Sequence, residues 1–156
     1  DRRSAAGGSV ILRHVLGEPP ATRPEPLDLG HPLAWPVSAG GGRWVLVYAV
    51  HLEPRPEFIL DTRSDGGWRP FLKGVSGSFR GVVVADRFIA ITNDSAPRGR
   101  LVSIPLATPR QRDTWQELLP GSDNVLASLA AVGNHLLLVE LVRAMKTQIG
   151  TDEGQP

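Results

Sequence analysis

The sequence predicts an all-β chain built of four-stranded antiparallel meanders, arranged as about three blades of a partial β-propeller. Two observations carry that reading. Short runs rich in Val, Ile, Leu and Phe alternate with clusters of Gly, Pro, Asn and Asp, the pattern of strands joined by tight turns. Tryptophan-bearing runs at Trp68 and Trp115 each close a group of three or four such stretches, and they lie one blade-length (about 40–50 residues) apart. A closed propeller needs at least about four blades. The expectation is therefore an open stack with unpaired strand edges at both ends, which invite pairing with other chains.

Each element has its own signal. Residues 1–8 are charged and rich in Gly, Ala and Ser, and read as a mobile end. Ser9 to Leu16 is a strand, stopped by Gly17-Glu18-Pro19-Pro20. Residues 18–32 carry Pro19, Pro20, Pro24, Pro26 and Pro32 and are expected to be an extended connection rather than a helix. Leu33 to Ser38 and Arg43 to Val50 form a hairpin across Ala39-Gly40-Gly41-Gly42. Glu57 to Asp61 follows as a strand. Gly66 to Leu72 is an edge strand, because Pro70 has no N–H to give to a central ladder. Phe79 to Ala85 pairs with Phe88 to Thr92 across Asp86-Arg87, Leu101 to Leu106 forms the next strand, and Thr114 to Pro120 closes the group. In Val125 to Val132 the residues favour helix by propensity, with Asp123 or Asn124 as a cap, whereas Gly133-Asn134 before His135 to Val142 favours a hairpin.

Composition bounds what the chain can do. One domain is expected from 156 residues, with roughly two thirds of the unfolded surface buried. Seventeen basic residues against 16 acidic ones give no field that would draw nucleic acid or an anionic membrane. Most of the basic residues are arginines scattered along the chain, which fits the coding bias of a GC-rich, bacterial type of genome. The lack of cysteine removes disulfides, thiolate metal sites and thiol nucleophiles, and suits a reducing compartment such as the cytoplasm. The longest apolar stretch, 125–142, is interrupted at Gly133-Asn134-His135 and carries Glu140, so it is not the uninterrupted span of about 20 residues that a membrane helix needs. A start at Asp1-Arg2-Arg3 suggests a cut from a longer chain, and a lost signal segment would move the expectation to the periplasm.

The wording of one stretch is more specific. Thr92-Asn93, Ala96-Pro97, Arg100-Leu101-Val102, Trp115, Leu118 and Pro120 follow one another in order. The series resembles the β-propeller domain of the prolyl oligopeptidase family of serine peptidases, and Arg13-His14 with Leu16-Gly17 is similar to the strand that precedes a variable loop there. The resemblance covers about Val10 to Ile149, leaving 150–156 as a divergent polar tail and 9–149 as an incomplete propeller domain. It also implies that residues 125–132 are strand, which is the reading adopted. Two departures stand out. The family's Ser-x-Asp-Gly-Arg turn is replaced by the glycine run before Arg43, which implies a looser turn. Tyr-Leu-x-Asp is replaced by Leu141-Val142-Arg143-Ala144, which removes a polar anchor from the last blade.

Residues able to carry chemistry are few. The closest approach to a nucleophile elbow is Gly74-Val75-Ser76-Gly77-Ser78, but serine stands where the last glycine should be, and a strand rather than a helix follows. His14, His31, His51 and His135 show no ligand spacing and no accompanying Cys or carboxylate cluster, so no metal and no cofactor are expected. The glycines 40–42 open a strand instead of a helix N-terminus, which argues for turn chemistry over phosphate binding. The four tryptophans read as core or blade-edge packing. In the family, the loop corresponding to Val50 to Pro56 can face the substrate cavity, so His51 and Glu53 are the candidate substrate-facing residues, although ordinary solvated turn residues would have the same appearance.

The resemblance implies a non-catalytic, substrate-gating propeller segment of an endopeptidase that cleaves short peptides after proline. Its partners would be a C-terminal α/β-hydrolase domain and, through that domain, short proline-containing peptides, with no nucleic acid and no membrane. The chain alone would then be inactive, with no catalytic residue of its own. The alternative is a stand-alone β-rich interaction or scaffold fragment.

Overall fold

The computed structural model describes residues 8–19, 23–30, 33–49 and 52–142. Twelve strands are formed there, and the two central groups are complete meanders. The first sheet consists of β3 (Ala34–Ala39), β4 (Trp44–Ala49), β5 (Arg55–Asp61) and β6 (Trp68–Pro70), paired in that order. The second consists of β7 (Phe79–Val84), β8 (Arg87–Thr92), β9 (Arg100–Pro105) and β10 (Gln116–Leu119), again in chain order. Before them stand β1 (Leu12–Arg13) and β2 (Arg23–Pro24), paired with each other, and after them the hairpin of β11 (Val125–Val132) and β12 (His135–Leu141). All pairings are antiparallel. The predicted partial propeller is thus two whole blades flanked by two half-blades.

Burial explains why the sheets stack. Between the two meanders lie Leu46, Tyr48, Ile59, Phe71, Leu72, Phe79, Phe88 and Ile104, with Phe71 meeting Phe88 edge to face at 5.5 Å. The opposite face of the second sheet buries Ile89, Ile91 and Leu101 against Leu126 of β11. Strands buried on both faces read as unbroken apolar runs, as in Trp44 to Ala49 and Phe88 to Ile91, rather than as strict alternation.

Most predicted elements are present with shifted ends. Ser9 to Leu16 forms ladder only at Leu12–Arg13, because β2 is a two-residue partner. Trp115 precedes β10 instead of lying in it. A 3-10 turn at Arg112–Thr114 delivers its ring edge to face onto Phe79 at 5.7 Å, and its indole N–H donates to the Pro109 carbonyl. Residues 125–132 are strand despite their helix propensity, since their backbone pairs with β12 along nearly its whole length and Leu126 and Leu129 pack on the second sheet.

The glycine turn is pinned from outside. Gly40, Gly41 and Gly42 all have positive φ, and a Cβ on Gly40 would lie 2.9 Å from the Trp44 ring. Arg43 donates to Asp61 at 3.0 Å, and the Thr62 hydroxyl donates to the carbonyl groups of Gly42 and Arg43. The Arg43 guanidinium also holds the Asp61 carboxyl below its usual range. Arg43 and Asp61 thus tie the turn to the neighbouring strand β5.

Candidate functional site

The end of the stack that carries the blade-to-blade connections gathers the polar side chains of the resembling stretch. Glu53, in the loop between β4 and β5, reaches into the second blade. Its carboxylate accepts the Gly77 N–H at 3.1 Å and the Asn93 side-chain amide at 3.2 Å. The Asn93 carbonyl oxygen in turn accepts the Ser78 N–H at 2.7 Å. The segment 74–78, the nearest approach to a nucleophile elbow, is therefore the connector between the blades, and the N–H groups of Gly77 and Ser78 are occupied by Glu53 and Asn93. Gly77 has φ 96°, and a Cβ there would lie 3.0 Å from the Asn93 oxygen. Glycine is what lets the connector pass so close.

The rest of the stretch ties three strands together. The Thr92 hydroxyl, fully buried, accepts the Asp94 N–H at 3.1 Å and closes the turn. Arg100 at the start of β9 donates to the Asp94 carbonyl at 3.0 Å and to Glu117 of β10 at 3.0 Å, while Arg112 also pairs with Asp94. Ala96 is buried beneath Gly121, where an added Cβ would come within 3.1 Å. The motif residues are thus the joints of a blade.

Beside these joints lies a cleft of about 580 Å³, walled by Arg98, Arg100, Glu117 and Asp123. Its charges are paired internally, Arg98 with Asp123 at 2.9 Å and Arg100 with Glu117 at 3.0 Å, so the cleft presents no uncompensated charge to a ligand. Among the described residues no group of three His, Asp or Glu side chains is placed to hold a metal ion. Nor does any helix there have the length and apolarity to cross a membrane.

Of the two candidate substrate-facing residues, Glu53 is half-buried and engaged as above, whereas His51 lies outside the described residues, as do His31 and the tail at 150–156. Sequence reasoning offers Glu53 as a substrate-facing residue or a solvated turn residue and does not reach its partners, because they are 24 and 40 residues away. Tyr48 was also missed. Its ring stacks on Trp35 at 5.5 Å, its phenol meets the Gly81 backbone across the blade interface, and burial pushes its pKa up to about 12.

A family model described as prolyl oligopeptidase, N-terminal beta-propeller domain, matches residues 11–153. No curated protein matches the chain by sequence. Among solved structures, the chain is similar to a prolyl endopeptidase studied for the role of inter-domain dynamics in catalysis and specificity, with 26% identity and a TM-score of 0.72 over 85% of this chain and 20% of that one. It is also similar in fold to prolyl oligopeptidase B from Galerina marginata, in a variant bound to a 25mer macrocyclization substrate. There the identity is 13% and the TM-score 0.64, over 90% of this chain and 22% of that one. The chain spans about a fifth of the length of the structures it matches.

Proposed function

Since the chain belongs to the prolyl oligopeptidase family, as its N-terminal β-propeller domain, we propose that it is the non-catalytic gating part of a serine endopeptidase acting on short peptides after proline. The match over residues 11–153 carries this reading. What the residues contribute is rigidity: two meanders fused by an apolar interface and locked at one end by Glu53, Asn93 and the connector 74–78. A wall of that kind acts by exclusion, setting the largest peptide that can approach a reactive serine carried by an α/β-hydrolase partner domain. The loop holding Glu53 would line that approach, its course fixed by the bonds to the second blade. A cytoplasmic setting suits the cysteine-free sequence.

The test is to read the coding DNA beyond codon 156. A Gly-x-Ser-x-Gly elbow followed by Asp and His within a few hundred codons supports the reading. Its absence in every frame refutes the peptidase role and leaves an interaction fragment.

A further inference from the structure

Strand β5 runs from the loop that holds Glu53 to a turn at the opposite end of the stack, residues 62–67, which leads into β6. Every residue of that turn is exposed. It is held at its two ends. The Asp61 carboxylate accepts the Arg63 N–H at 3.0 Å, and Leu60 pairs with Trp68 in the ladder. Between those points the Gly66 N–H donates to the Ser64 hydroxyl at a long 3.4 Å, and the Asp65 carboxylate has no hydrogen-bond or ion-pair partner among the described residues. Asp65-Gly66 is also the one Asp-Gly step in the sequence, which has no Asn-Gly. Every other Asp and Asn precedes a residue with a side chain. Several are tied down as well: Asp61 by Arg43, Asn93 by the Ser78 N–H, Asp94 by Arg100 and Asp123 by Arg98.

We propose that Asp65 is the residue at which this chain isomerises to L-isoaspartate in its folded state, and therefore the residue at which a protein carboxyl methyltransferase takes the chain as a substrate. The Gly66 nitrogen gives up its proton and bonds to the carboxyl carbon of Asp65, and a carboxyl oxygen leaves as water. The succinimide ring so formed takes up one water. Opening at the side-chain carbonyl restores aspartate; opening at the main-chain carbonyl routes the backbone through Cβ and Cγ and leaves a free carboxylate on Cα. The composition of the chain is unchanged, and no oxidant or other reagent is consumed. Ring closure needs an uncrowded nitrogen and an unheld carboxyl. Gly66 supplies the first, having no Cβ, and the exposed, unpartnered Asp65 supplies the second. The new Cα carboxylate then accepts a methyl group from a sulfonium donor, which leaves as a thioether. The extra backbone atom falls inside the turn, beyond the Arg63 bond to Asp61 and ahead of the Leu60–Trp68 pair, so the two meanders keep their register.

The test is to hold the folded chain for several weeks at body temperature and near-neutral pH, and to sample it by tryptic mapping. Trypsin does not cut between Arg69 and Pro70, so the site lies in the peptide Ser64 to Lys73. The expected result is a second form of that peptide with the same mass, resistant to endoproteinase Asp-N. Methyl groups transferred by a recombinant L-isoaspartate methyltransferase from a labelled sulfonium donor should rise in step with it. Asp65→Glu, which would need a six-membered ring, should stay at background. Gly66→Ala, whose added Cβ meets nothing nearer than the Ser64 hydroxyl at 3.5 Å, should fold normally and incorporate several-fold less label. Circular dichroism of both variants checks that the fold is kept. Label that is equal in Gly66→Ala, or that lies mainly in other peptides, would overturn the proposal. So would a second form that arises in urea-unfolded chain and not in folded chain, because the folded turn would then forbid the ring.

Discussion

Asn93 and Glu53, 40 residues apart, meet across the blade boundary with the amide nitrogen 3.2 Å from a carboxylate oxygen. Each side chain also secures a backbone N–H of the connector, Gly77 for Glu53 and Ser78 for Asn93. Neither bond is large by itself. Together they decide whether the loop after β4 and the entry to β7 move as one body.

Truncating either residue should therefore cost more than an exposed loop substitution. Glu53→Ala strands the Gly77 N–H and one Asn93 donor in a half-buried place, a loss of about 1–3 kcal/mol. Glu53→Gln keeps an acceptor and should lose less. Asn93→Ala gives up both the link and the Ser78 bond, so its loss should at least match that of Glu53→Ala. Urea unfolding followed by circular dichroism measures all three, and equal stability of Asn93→Ala and the unmodified chain would contradict the lock.

Gly81 tests the close approach within the second blade. A Cβ there would lie 2.1 Å from the Ile89 carbonyl oxygen and 2.8 Å from the Ala90 Cα, both backbone atoms that cannot step aside. Gly81→Ala must separate β7 from β8 at the buried blade interface, and a loss of about 2 kcal/mol or more is expected. Gly66→Ala is the control. Its nearest neighbour is the Ser64 hydroxyl at 3.5 Å, and its melting temperature should stay close to that of the unmodified chain.

The same residues show what could be read in advance. The strands of the two whole blades were legible because their ends are written in local chemistry: glycines at the Gly40 to Gly42 turn, Pro70 at an edge, Asn93-Asp94 after β8. The course of Ser9 to Leu16 was not, since a β-prone run becomes ladder only where a partner strand lies beside it. Val125 to Val132 was ambiguous for the converse reason. Its alanines favour helix locally, and only the tertiary contacts of Leu126 and Leu129 with the second sheet decide for strand. At the site, Thr92-Asn93 and Arg100 could be recognised as a pattern, but their work lies in partners distant in sequence. Asn93 serves Ser78 and Glu53, and Arg100 serves Glu117.

Arg100 separates charge from geometry. Its guanidinium spans the Asp94 carbonyl and the Glu117 carboxylate, joining the β8–β9 turn to the outer strand β10. Lysine would keep the charge but cannot fork between two acceptors. Arg100→Lys should therefore lose most of what Arg100→Ala loses, roughly 1–2 kcal/mol given the partial exposure of Glu117. If Arg100→Lys melts with the unmodified chain, the contact is merely coulombic.

The buried phenol of Tyr48 gives a pH dependence whose sign follows from its environment. Burial at the blade interface disfavours the phenolate and raises the pKa from 10.0 to about 12, outweighing the opposing effects of the Gly81 backbone and the Arg80 charge. Below pH 10 both folded and unfolded chains keep the proton, and the contribution is complete. Between about pH 10 and 12 the unfolded chain releases the proton while the folded chain holds it, so stability falls as pH rises, by roughly 2–3 kcal/mol over that window. Tyr48→Phe removes the titrating group. It should start lower at neutral pH, having lost the hydroxyl contact, and should then lose less stability than the unmodified chain between pH 10 and 12. Urea midpoints measured at half-unit steps across that range provide the comparison. Parallel slopes for the two proteins would mean that Tyr48 does not hold its proton as the packing requires.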